Sequence, residues 1–269
     1  MSYFFKYVSP STGRKIIENC TLRWSTPPLL NDVFDMQFAF QLRLERQAVV
    51  DAFWKLTNVS HEEFNNDQEI GDAIDACFDE MKAWIAKGSK AILGQFINDK
   101  LLCLSDVPDS ILMWSHYAQN HSGMVLRFTD QTPGNPLVMA RRVRYLDQMP
   151  SLLDEETLSR KLAGCKVLDT RRIMNEVIYT KSSHWAYERE WRVYAGTGRS
   201  SDPYEDIPFN ARELDGVIFG VRMDEAEQRD LVELLRARYP HVELLQAKVR
   251  ADVFGLALEQ LDASNDRPR

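Results

Sequence analysis

Cysteine is scarce in this chain, and no two cysteines stand close together. The four (Cys20, Cys77, Cys103 and Cys165) are spread over 269 residues with no CxxC pair, which removes the usual zinc-ligand spacing. Lone thiols of this kind fit a reducing compartment. Long apolar runs are also missing, since nothing approaches the roughly 20 residues a membrane helix needs. The opening MSYFFKYVSP lacks the basic start and apolar run of a signal peptide. Nor is there a basic excess: 33 Lys and Arg stand against 40 Asp and Glu, for a formal net charge of −7. That balance argues against broad binding to duplex nucleic acid, which needs a basic face. Together these absences predict a cytoplasmic protein with no membrane segment.

Several catalytic signatures are absent too. There is no GxGxxG, no GxxxxGK[ST], no GxSxG elbow and no HExxH pair. The glycines of GTGRSS at 196–201 run into Asp-Pro-Tyr rather than a helix, so this stretch reads as part of a polar loop.

What the chain does have is material for a core, at 44% hydrophobic and 10% aromatic residues. Residues 2–9, 21–25, 100–105, 124–128, 143–147, 215–220 and 242–249 read as strands. Residues 38–88 carry apolar residues at spacings of three and four and read as a helical insertion. Further helices are expected after Pro10, over 109–122, from 151 to about 179, and after Asp224, where Asp224 and Glu227 form a cap. The fold class is α+β: a mixed, largely antiparallel sheet with flanking helices. A single domain is expected over 1–255, with a polar tail over 256–269.

The most unusual stretch is KSSHWAYEREWRVYA at 181–195. Its later part alternates in the manner of a strand. Residues two apart on a strand share a face, so Glu188, Glu190 and Arg192 are expected to point the same way among Trp185, Tyr187, Trp191 and Tyr194. Paired carboxylates in a semi-enclosed aromatic site suit ligand chemistry. They suit equally a salt-bridged patch with Arg192 and Lys181. In MWSHYAQNHSG, Trp114 and Tyr117 offer rings for stacking on a planar ligand, and His116 and His121 offer proton carriers near neutral pH. The same residues also suit a core aromatic cluster with backbone-bonded histidines. His116 and His121 are five apart, a poor spacing for a shared metal, and no metal site is expected.

Five pieces in order, FFKY, TLRWSTPPLLNDVFD, MWSHYAQNHSGMVLRF, TKSSHWAYEREWRVY and DGVIFGVRM, resemble the bacterial family catalogued as domain of unknown function 2971. That family usually has Asn-Asp-Pro-(Phe)-Glu after the second strand. Here the run is Asn31-Asp32-Val33-Phe34-Asp35, with the proline lost and the acid shortened. The layout is also similar to the ADP-ribosyltransferase superfamily, whose split sheet grips NAD as a substrate with a late-strand glutamate at the reacting ribose. The resemblance implies that Glu190 binds the ribose and Glu188 serves the acceptor. It implies that Lys6, with Tyr7 beside it, or Arg23 holds the phosphates or adenosine. Asn31 would meet ribose hydroxyls or fix its own turn, and Lys181, Trp185 and Arg192 would border the ligand. The acceptor is left open, protein or nucleic acid. Such bacterial domains often serve as toxins or in phage defence, with an antitoxin or defence-system partner. Two other readings stand beside this one: a non-catalytic nucleotide-sensing or partner-binding module, and a metal-dependent hydrolase of nucleotides or nucleic acid.

Overall fold

A computed structural model describes residues 2–38, 45–57, 97–151, 155–164, 174–198 and 200–261, with isolated positions between 68 and 94. In chain order the strands are β1 (Tyr3–Val8), β2 (Thr21–Ser25), β3 (Asp99–Ser105), β4 (Met124–Thr129), β5 (Arg141–Arg142), β6 (Arg144–Leu146), β7 (Thr180–Ser182), β8 (Glu190–Thr197), β9 (Tyr204–Pro208), β10 (Leu214–Phe219), β11 (Glu243–Val249) and β12 (Leu256–Gln260). The helices are α1 (Pro10–Asn19), α2 (Arg46–Thr57), α3 (Ile111–Tyr117), α4 (Glu155–Leu162) and α5 (Glu225–Arg238). The chain divides into two compact units. One is formed by Met1–Leu29, Asn98–Val143 and His184–Arg269, the other by Leu30–Ile97 and Arg144–Ser183.

The first unit is built on a ten-stranded sheet in the order β12-β11-β10-β4-β1-β3-β2-β9, with β8 on β3 and β5 on β8. Every pairing is antiparallel except β10 with β11, so the α+β class and the largely antiparallel sheet are as the sequence predicts. The ladder is uneven. β1 pairs with β4 from Tyr3↔Thr129 to Val8↔Met124, but it meets β3 only at Phe5↔Ser105. β2 likewise meets β3 only at Ser25↔Leu101. At the seam between β1 and β3, Lys6 sends its Nζ to the carbonyl of Cys103 at 2.8 Å, so an ammonium takes the place of a ladder amide.

Strand alternation builds a core on each face. Phe4, Val8, Leu102, Leu104 and Val193 join Ile16 and Ile17 of α1 and Leu231, Val232 and Leu235 of α5 in one cluster. Phe5 and Tyr7 join Met113 and Trp114 of α3 in the other. Ser9 caps α1 by accepting from the Thr12 amide, and Pro10 fills the first turn, where no amide is needed. Asp224 caps α5 through the amides of Ala226 and Glu227. Acidic residues in its first turn and Arg236 and Arg238 in its last suit the helix dipole. Lys100, fully buried, donates to the carbonyls of Asn98, Ser200 and Asp202 at 3.0, 3.3 and 2.8 Å, tying the 200–203 turn to the start of β3.

After α3 the chain turns back through Gln119, Asn120 and His121, all with positive φ. Gly123 follows because a Cβ there would lie 2.2 Å from the Val8 carbonyl oxygen.

The second unit contains the parallel pair β6 and β7, with α2 packed against α4. Lys181 of β7 is buried with Asp35 at 3.7 Å, and Arg144 pairs with Glu176 at 2.8 Å. The predicted helical insertion over 38–88 lies largely outside the described residues, with α2 in its described part. Of the helix predicted to run on to about Tyr179, α4 and a π-helical turn over Met174–Ile178 are described.

Four strands fall where the sequence shows none: the short β5 and β7, and the longer β9 and β12. β9 begins inside the predicted polar loop, where Arg23↔Asp206 and Leu22↔Ile207 pair it with β2. β12 falls in the predicted polar tail and pairs with β11 through Leu245↔Gln260 to Val249↔Leu256.

Candidate functional site

Glu190 is the first residue of β8 and lies opposite Ser105, the residue of β3 that also meets β1. Arg192 lies two residues on, on the same face, as the sequence predicts. Its Nε and Nη2 reach the two carboxylate oxygens of Glu190 at 2.8 and 3.0 Å, a bidentate pair. Arg192 is 0% exposed and Glu190 4%.

Glu188 is not on this strand. It ends a 3-10 turn over Ser183–Glu188, and Arg189, at φ 46°, breaks the extended run before Glu190. Backbone and side-chain bonds override the sequence alternation here. Ser105 Oγ donates to the Glu188 carbonyl at 2.7 Å, and the Asp106 amide donates to the Arg189 carbonyl at 3.3 Å. Glu188 is nonetheless buried, at 3% exposed, and its Oε1 accepts a close hydrogen bond from the Tyr117 hydroxyl. Burial first, and then this bond, push the Tyr117 phenol far above its usual value, so it keeps its proton.

His116 stands beside this pair. Its Nδ1 is 2.9 Å from the Tyr187 hydroxyl, and its ring lies 5.8 Å from that of Tyr187 and 6.2 Å from that of Tyr117. Trp185 continues the row, 5.9 Å from Tyr187. The turn before β8 and the last turn of α3 thus bring together Glu188, Tyr117, His116, Tyr187 and Trp185. Lys6 joins the margin of β3 through Cys103. Burial and the Glu190 carboxylate raise the Cys103 thiol, against the opposing pull of Arg192 and Lys6, so it is not an activated nucleophile.

Other predicted residues sit elsewhere. Trp114 is fully buried, bonds the Pro108 carbonyl through Nε1 at 2.9 Å, and packs between Tyr7 and His121, so neither ring face is open for stacking. Tyr7 is a core residue whose hydroxyl donates to the Val107 carbonyl at 2.7 Å. His121 bonds Ser115 through Nε2 at 3.0 Å and stacks on Trp114, away from the Glu188 group. Arg23 is exposed, bidentate to Asp206 at 2.9 and 3.0 Å and 3.9 Å over the Tyr204 ring, so its charge is answered within the β2–β9 ladder. Asn31 and Lys181 belong to the second unit, Asn31 exposed and Lys181 paired with Asp35.

The sequence reading missed Ser105 as a site-forming group and named Tyr187 only among the aromatics around the paired carboxylates. A serine closing an apolar strand carries no periodic signal, and Tyr187 is told apart from its aromatic neighbours only by its bond to His116. Among the described residues no group of three or more His, Cys, Asp or Glu side chains is arranged to hold a metal ion.

Residues 113–193 match the family model described as "Protein of unknown function (DUF2971)". The matched stretch runs from α3 into β8 and holds Tyr117, Glu188, Glu190 and Arg192. It supports the family resemblance for that part of the chain. No curated protein and no solved structure matches the chain.

Proposed function

We propose that this protein cleaves the nicotinamide–ribose bond of NAD and transfers ADP-ribose to an acceptor, in the manner of the ADP-ribosyltransferases it resembles. The observation that carries this reading is the position of Glu190. It opens β8 at the narrow β1–β3 seam, with both carboxylate oxygens held by Arg192. Arg192 fixes this carboxylate in place and is its counter-ion, and Glu190 remains the negative end of the pair. As the bond from ribose C1′ to nitrogen breaks, nicotinamide leaves with the electron pair and positive charge grows on the ribose, where that negative end is most effective in a water-poor site. In this reading Glu188, bonded to Tyr117 beside His116 and Tyr187, takes the proton released by the acceptor as its nucleophile attacks C1′.

The test is nicotinamide release from NAD by purified protein, with and without cell lysate, beside Glu190→Gln and Glu188→Gln. Release by wild type, with loss in both variants while they remain folded by circular dichroism, is the expected result. Release that is absent under every condition sinks the transferase reading. A non-catalytic nucleotide-binding module is the second reading. It is favoured by one observation: Glu188 and Glu190 are both buried and hydrogen-bonded within the chain. NAD binding without turnover in wild type and in Glu190→Gln alike would select it.

A further inference from the structure

A groove of about 490 Å3 lies away from Glu190, between the β11–β12 hairpin and the start of α3. This is within the size range of small-molecule sites. Ile111, Val221, Val253, Phe254 and Leu256 give it apolar walls. Val221 and Leu256 pack inward against the Tyr7–Trp114 core, so the groove is an outward continuation of that core. Its outer wall is unusually bare. Phe254 is fully exposed, and Val253 and Ile111 are 51% and 41% exposed. Apolar surface gathered at one concave place, and not scattered singly, marks a binding site.

The polar groups of the groove are few and unequal. Arg250 is neutralised within the hairpin turn by both oxygens of Asp252, at 3.3 and 3.1 Å. His121 gives a ring face to Trp114 and a nitrogen to Ser115. Arg222 is different: it lines the groove, is solvent-exposed, and forms no ion pair among the described residues. One unanswered planar cation beside an apolar cavity calls for a ligand with one planar anionic head and an apolar body. A guanidinium fork matches a carboxylate in two parallel hydrogen bonds. A polyphosphate would need further free cations, and the groove has only Arg222.

We propose that this groove binds a small amphipathic carboxylate, its acid group on Arg222 and its apolar chain against Val221, Val253, Phe254 and Leu256. The site is separate from Glu190 and does not depend on NAD chemistry. Calorimetric titration of the full chain with decanoate, and with 1-decanol as the uncharged counterpart, tests it. Decanoate should bind saturably at one site per chain, roughly tenfold or more tighter than decanol, as a charge-assisted bidentate pair allows. Arg222→Gln should abolish that preference and leave the two probes within about twofold of each other. Phe254→Ala, a change at a fully exposed residue that spares the fold, should weaken both probes. Absence of saturable binding, a preference that survives Arg222→Gln, or indifference to Phe254→Ala would each overturn the proposal.

Discussion

At the scale of single residues, the Glu190–Arg192 pair is the most consequential interaction. Both partners are buried, so removing one leaves a charge without its closest counter-ion. Arg192→Gln should cost about 3–5 kcal/mol, read from the urea midpoint, and the double change with Glu190→Gln should recover part of it. Tyr117→Phe takes the hydroxyl from a buried carboxylate and should cost about 1–3 kcal/mol. His121 gives a pH effect of definite sign. Burial, and then Arg222, hold its imidazole below the usual 6.5. The folded chain therefore binds fewer protons here than the unfolded one. The corresponding stability is present above the unfolded value and is lost as pH falls through the folded one. The urea midpoint should drop between pH of about 7.5 and about 5.5, and His121→Gln should flatten that slope.

At the scale of elements, the β1–β3 seam and the glycine crossing are the features to probe. Gly123→Ala would press a Cβ against the Val8 carbonyl, where backbone cannot yield cheaply. It should destabilise the fold by about 1–3 kcal/mol, read from thermal or urea unfolding. The strands that the sequence revealed are those with alternating or continuous apolar residues, such as FFKYV in β1 and MVLRF in β4. β9 and β12 were not legible for a physical reason. Tyr204–Pro208 and Leu256–Gln260 lie at the two ends of the strand order, where Ile207, Leu256 and Leu258 touch the core yet no side chain is fully buried, so the apolar signal is weak. The Glu188 turn was hidden differently. HWAYEREW alternates like a strand, yet Ser105 and Asp106 bond its backbone locally and Arg189 takes a left-handed conformation that composition does not announce. Of the candidate site, Glu190 sharing a face with Arg192 could be read from spacing. That Tyr117 meets Glu188, 71 residues on, could not be read from residue order at all.

At the scale of the whole molecule, acidic charge sets what the surface attracts. With a net charge of −7, the purified chain should give no shift of random duplex DNA in a gel at an ionic strength of about 0.15 M. A shift there would point to a concentrated basic face that the overall balance conceals. The Lys100 ammonium has a consequence of a different kind. Its nitrogen is enclosed, and its hydrogens are shared among three carbonyls drawn from two distant parts of the chain. An acylating reagent needs a free amine lone pair and room to approach, and Lys100 offers neither until those parts come apart. In a mass-spectrometric time course, Lys100 should be among the last lysines to acquire an acetyl group. Its modification rate would then serve as an internal clock for opening of the folded chain.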